Sequence, residues 1–203
     1  MVLKRYWYTN YTILAPLKCG TRWLNDYTSP LGWTRLGCHT EISQQDFDQN
    51  KITYFIYREP EEHFITALHT EVLTYARENM LDELDLKPVV NTFKTNYAEH
   101  WSTNMWETLY SDIEKKKPVF EFVNLKNLSK LFGDKFPYNR TEFDFLNNKL
   151  HLTKKELLKK LKNEYPNEWI FFNNIIKKET IWMNKTIYIS KNLKLWGATS
   201  TDT

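Results

Sequence analysis

The side chains best suited to chemistry in this sequence are cations and hydroxyls at Lys18, Thr21, Arg58 and Thr66, with His39 and Glu41 lying between the two pairs. The first pair belongs to the run Lys18-Cys19-Gly20-Thr21. An ammonium carries three donors and a threonine hydroxyl adds one more. Glycine lets a ligand reach the backbone without a side chain in the way. The flanking residues set the geometry: the apolar, β-branched run Tyr11 to Leu14 lies in a strand of roughly Tyr8 to Ala15, Pro16 follows it, and Thr21 to Tyr27 can continue as a helix. Strand, tight turn and helix bring successive backbone N–H groups and a helix N-terminus onto one anion. Within that helix Trp23 reads as a packing residue, and the Cys19 thiol as filler inside the turn.

The second pair has a similar setting. Lys51 to Tyr57, KITYFIY, is almost continuously apolar, which suits a strand covered on both faces in a parallel sheet. It runs into Arg58-Glu59-Pro60. Proline and the acids Glu61 and Glu62 make a good helix start, and Phe64, Leu68 and Val72 continue at helical spacing. Arg58 thus sits at a strand end, where its planar fork can grip a phosphate, and Thr66 lies on the helix beyond.

The order Lys-x-Gly-Thr excludes the nucleotide-triphosphate loop, in which a lysine follows a glycine. It resembles the loop of the sulfotransferases that use 3'-phosphoadenosine-5'-phosphosulfate, PAPS. In that family a later strand is followed by an arginine, a proline and a helix bearing a serine, and Arg58, Pro60 and Thr66 resemble that element. The family usually has a second arginine between them, where this chain has His63. The likeness covers roughly Tyr11 to Phe132, and His100-Trp101 resembles a pair in the carbohydrate-modifying branch.

The resemblance implies an α/β, three-layer P-loop-type fold with a mainly parallel central sheet flanked by helices. It implies sulfuryl transfer from PAPS, used as co-substrate without a metal, to a small-molecule or glycan hydroxyl. The N–H groups of Cys19, Gly20, Thr21 and Arg22 would hold the 5'-phosphate, Arg58 and Thr66 the 3'-phosphate. Lys18 would neutralise the bridging oxygen. The proton of the acceptor hydroxyl falls to His39 or Glu41, with His63, His69 and His100 as further candidates. Tyr188 to Trp196, with Lys191 and Lys194, resembles the family's closing loop. Two other readings stand beside it: a phosphoadenosine- or anion-binding protein without catalysis, and a divergent P-loop nucleotide kinase, which would want a lysine directly after a glycine and an aspartate at a strand end for magnesium, neither of which is in place.

The remaining elements must carry these groups. Ser29-Pro30 and Gly32 stop the first helix, and residues 28–50 form a polar loop region. Leu81 to Asn96 reads as a partly helical connector broken near Pro88, Tyr97 to Ile113 as a helix, Val119 to Leu125 as a strand and Lys126 to Phe132 as a helix. Asp134 to Leu150 reads as loop. A capping box at Thr153 and Glu156 opens a helix that Pro166 breaks. Glu168 to Met183 reads as a last helix, and Thr186 to Gly197 as a short strand with a basic, aromatic extension.

The totals bound the class. The chain has 203 residues, 41% hydrophobic and 26% charged, which fits a single domain over 1–203. A net charge of +3 argues against nucleic acid as partner. Cys19 and Cys38 read as thiols of a reducing compartment rather than metal ligands. With no long apolar run and no leader-like segment, the expectation is a cytoplasmic protein.

Overall fold

The computed structural model describes residues 3–8, 11–32, 34–36, 52–79, 85–100, 105–116, 120–128 and 152–198. The chain divides into two compact units. The first holds residues 1–58, 104–136 and 178–203, and the second holds 59–103 and 137–177.

The first unit is built on a five-stranded sheet. Its strands are β1 (Leu3–Tyr8), β2 (Tyr11–Pro16), β3 (Thr34–Leu36), β4 (Ile52–Tyr57) and β5 (Phe120–Asn124), in the order β3-β1-β2-β4-β5. β2, β4 and β5 are parallel, with Leu14 opposite Phe55 and Phe55 opposite Phe122. β1 is antiparallel to both β2 and β3. The sheet is therefore mixed. The expectation of a mainly parallel sheet holds only for its β2-β4-β5 part, because Leu3–Tyr8 forms a strand of its own beside β2.

Both faces of the sheet are covered, as the unbroken apolar run of β4 requires. Along β2 and β4 successive side chains alternate between faces. Leu14, Phe55 and Phe120 pack with Met105, Trp106, Leu109 and Ile113 of a helix Met105–Lys116 and with Met183. Ile13, Ala15 and Ile56 pack on the other face with Tyr6, Cys19, Leu24, Leu125 and Leu128. Leu24 belongs to helix α1 (Thr21–Thr28). Leu125 belongs to a 3-10 turn, Leu125–Asn127, which stands where a helix from Lys126 to Phe132 is expected. Its far part lies outside the described residues. Phe55 is the centre of the first cluster, with ring centroids 5.8 Å from Trp106, 5.5 Å from Phe122 and 6.1 Å from Phe120. Tilted and edge-to-face pairs of this kind add about 0.5–1.5 kcal/mol each beyond the area they bury.

The second unit is helical in its described residues. It contains α2 (Pro60–Glu78), α3 (Leu86–His100), α5 (Lys154–Glu164) and the first part of α6 (Pro166–Ala198); the helix Met105–Lys116 is α4. Phe64, Phe93 and Phe172 meet at its core, with centroids 4.9–5.8 Å apart. Thr153 and Glu156 make the expected reciprocal capping box at the start of α5.

Further element boundaries differ from expectation. Tyr97 to Ile113 is not one helix, since α3 ends at His100 and α4 begins at Met105. Pro88 does not break α3, because it falls in the first turn, where a missing N–H costs nothing; Asp85 Oδ1 accepts the Lys87 N–H at 2.9 Å just before it. The largest change is the tail. Thr186 to Gly197 is not a strand but the end of the 33-residue helix α6.

The reason lies in three buried polar side chains of α6 at helical spacing. Glu179 Oε2 accepts from the Trp106 N–H at 3.4 Å, the Thr186 hydroxyl lies 3.2 Å from Trp106 O, and the Ser190 hydroxyl donates to Phe120 O at 3.1 Å. These residues are 5%, 0% and 1% exposed. In the helix the four-residue step from Thr186 to Ser190 sets both hydroxyls on the face that meets Trp106 and Phe120, beyond the helix expected to end at Met183. Tertiary burial overrides the β-propensity of the TIYIS run.

Candidate anion site at the first strand–helix junction

The Lys18 turn begins directly at the end of β2. Cys19 N–H donates to Pro16 O at 3.1 Å and closes it. Lys18 adopts φ 63°, the left-handed region that a side chain rarely enters. Gly20, at φ 79°, is the N-cap of α1 and offers no side chain to cap it. The N–H groups of Gly20, Thr21 and Arg22 stand at the N-cap, N1 and N2 positions, whose helical acceptors are missing. No acidic residue lies in the first turn of α1. The helix end therefore keeps its partial positive charge.

Of the donors expected to hold a 5'-phosphate, Cys19 is corrected. Its N–H is engaged by Pro16 O, and its side chain is buried in the core with Ile13 and Leu24. It shapes the turn. The side chain of Arg22 lies outside the described residues.

Arg58 and Lys18 come together. Arg58 Nε donates to Lys18 O at 2.6 Å, across 40 residues of sequence. Both side chains are half-buried. The bond fixes the plane of the guanidinium against the turn that carries the ammonium. A second long-range bond, invisible to sequence reasoning, reaches the same loop: the hydroxyl of Tyr6, on β1, donates to Thr21 O at 2.8 Å. The sequence signal is only an aromatic in a stretch that reads as a lead-in to the first strand.

The other candidates fall in the second unit or outside the described residues. Thr66 belongs to the second unit, where it is 2% exposed and its hydroxyl has no hydrogen-bond partner among the described residues. His63 is buried in the same helix, with its N–H donating to Glu59 O at 2.8 Å. His69 Nε2 lies 2.6 Å from Leu152 O. A ring nitrogen facing a carbonyl carries the proton there, so that nitrogen is a donor rather than a base. His39, Glu41, Cys38, Trp101 and the side chains of His100, Lys194 and Trp196 lie outside the described residues.

The donor set suits a phosphate or sulfuryl group. The loop offers backbone N–H groups, an ammonium and a nearby guanidinium, and the run Pro16 to Arg22 contains no Asp or Glu. Among the described residues there is no group of three or more His, Cys, Asp or Glu that could hold a metal ion. No described helix is long and apolar enough to cross a membrane. Compared with models of known families, with curated proteins and with solved structures, the chain matches none of them.

Proposed function

We propose that this chain transfers a sulfuryl group from PAPS to a hydroxyl acceptor, with a sugar hydroxyl as the preferred class, on a three-layer fold of the P-loop type. The observation that carries the reading is the 2.6 Å bond from Arg58 Nε to Lys18 O, which brings both strand-end cations of the first unit to one turn.

When bound, PAPS supplies an activated sulfuryl group whose departure leaves negative charge on the bridging oxygen. The residues of the loop act by position and charge rather than by covalent chemistry. The N–H groups of Gly20, Thr21 and Arg22 hold the 5'-phosphate at the positive end of α1. Lys18 Nζ balances charge on the bridging oxygen. Arg58 keeps the turn in place and adds a cation for the nucleotide's phosphates. In this reading the proton of the acceptor hydroxyl goes to the His39 imidazole or the Glu41 carboxylate, on sequence grounds.

The test is a calorimetric titration with 3'-phosphoadenosine-5'-phosphate. Arg58→Ala removes charge-assisted bonds and should weaken binding by roughly 2–3 kcal/mol, with a comparable loss for Lys18→Ala. Unchanged binding in both variants refutes the assignment. Transfer of labelled sulfate from PAPS to a panel of glycans, peptides and alcohols then identifies the acceptor. A chain that binds the nucleotide but sulfates nothing is a binding protein, not an enzyme.

A further inference from the structure

The backbone of the Lys18 turn has a polarity. Pro16 O accepts the Cys19 N–H at 3.1 Å and Gly20 O accepts the Leu24 N–H at 2.9 Å. Two further carbonyls are held by side chains from distant parts of the first unit: Lys18 O by Arg58 Nε at 2.6 Å, and Thr21 O by the Tyr6 hydroxyl at 2.8 Å. The second bond is not needed to satisfy the backbone. Thr21 lies in the first turn of α1, where the carbonyl is already the acceptor of a helical N–H four residues on. A carbonyl has a second lone pair, and Tyr6 occupies it. Tyr6 is fully buried among Ile13, Cys19 and Leu24, so packing fixes where its hydroxyl points.

A carbonyl turned toward an anion repels it, and one held from behind by a donor is turned away. We propose that Tyr6 is a positioning residue for anion binding on this loop: together with Arg58 it pins the carbonyl side of the turn, so that the N–H side stays presented. The proposal rests on the anion-binding reading above and adds a residue that touches no ligand.

Tyr6→Phe keeps the ring and deletes the bond to Thr21 O. Tyr6→Met, also without a donor, replaces it should the phenylalanine variant fail to fold. The comparison is Leu161→Ala, a buried truncation in α5 of the second unit, which lowers stability by emptying a core position of that unit. Two probes are titrated at a temperature where every variant is folded: 3'-phosphoadenosine-5'-phosphate and inorganic sulfate. Tyr6→Phe should bind about three- to tenfold more weakly, the range for one neutral hydrogen bond. Amide exchange in the first turn of α1 should quicken with it, and Leu161→Ala should show neither change. Equal affinity in Tyr6→Phe and wild type overturns the proposal, as does an equal loss in Leu161→Ala. A wild type that binds sulfate but not the nucleotide removes the sulfotransferase reading and leaves the sulfate titration to decide for Tyr6. A wild type that binds neither overturns both.

Discussion

Glu179 gives a sharp physical test of how α6 is held in the first unit. Its carboxyl is 5% exposed, one oxygen accepts from the Trp106 N–H at 3.4 Å, and the other has no hydrogen-bond partner among the described residues. Burial pushes its pKa from 4.5 up to about 8, against smaller opposing contributions from the Trp106 N–H and Lys178; Glu107 pushes it further up. Lys178 is itself paired with Glu107 at 2.8 Å. The sign follows from the raised value. Below pH 4.5 the group is protonated in both folded and unfolded chains and has no effect on stability. Between 4.5 and about 8 the unfolded chain loses the proton while the folded one keeps it. Stability then falls as pH rises, by at most about 1.4 kcal/mol per pH unit. Above about 8 both forms are ionised and the full penalty, with a ceiling of roughly 5 kcal/mol, is present. Glu179→Gln keeps the shape and cannot ionise. Urea unfolding followed by tryptophan fluorescence at several pH values from 5 to 9 reads the difference. The variant should match wild type near pH 5, exceed it by about 1–3 kcal/mol at pH 7, and gain further up to pH 9. A difference that does not change with pH would show that the carboxyl titrates normally, and the desolvation argument would fail.

Two further outcomes follow from local chemistry. The left-handed backbone at Lys18 costs about 1–2 kcal/mol for a residue with a side chain, so Lys18→Gly should be more stable than Lys18→Ala by about 1 kcal/mol in thermal melts, although both lack the ammonium. Equal melting of the two would mean that the turn is not strained. Thr66→Val replaces a buried hydroxyl that has no partner among the described residues with a methyl, and should leave the melting temperature unchanged or raise it, by about 1 kcal/mol in stability. A loss of comparable size would show that the hydroxyl is bonded after all.

Local signals in the sequence were clear where one residue type has one physical use. The apolar run of β4, the Pro60 start of α2 and the Thr153 capping box all correspond to elements of the structure. β1 was hidden because Lys4 and Arg5 interrupt its pattern; antiparallel pairing with β2 stabilises it. β3 has only three residues and leaves almost no periodicity to read. The end of α6 misled for the opposite reason. Thr186, Ile187, Tyr188 and Ile189 favour a strand when taken alone, and only the backbone groups of Trp106 and Phe120 make the helical face worth burying. Those partners lie 70 to 80 residues away, and no window of sequence contains them.

The candidate site divides along the same line. Its cations were legible because the two junctions follow adjacent parallel strands, and parallel neighbours bring their carboxyl ends to one edge of the sheet. With Leu14 opposite Phe55, Lys18 lies four residues beyond the first and Arg58 three beyond the second. The 2.6 Å bond between them is thus a consequence of register. A slip of one residue would turn Phe55 out of its cluster and would move Arg58 along the edge. Tyr6 was not legible, because a side chain that donates to a backbone carbonyl needs no motif and no partner side chain. Its place depends on β1 running antiparallel to β2, which sets Tyr6 opposite Ile13 on the face that α1 covers. What a sequence shows of such a loop is the groups that would meet an anion; the groups that hold its backbone from behind emerge only once the strands are paired.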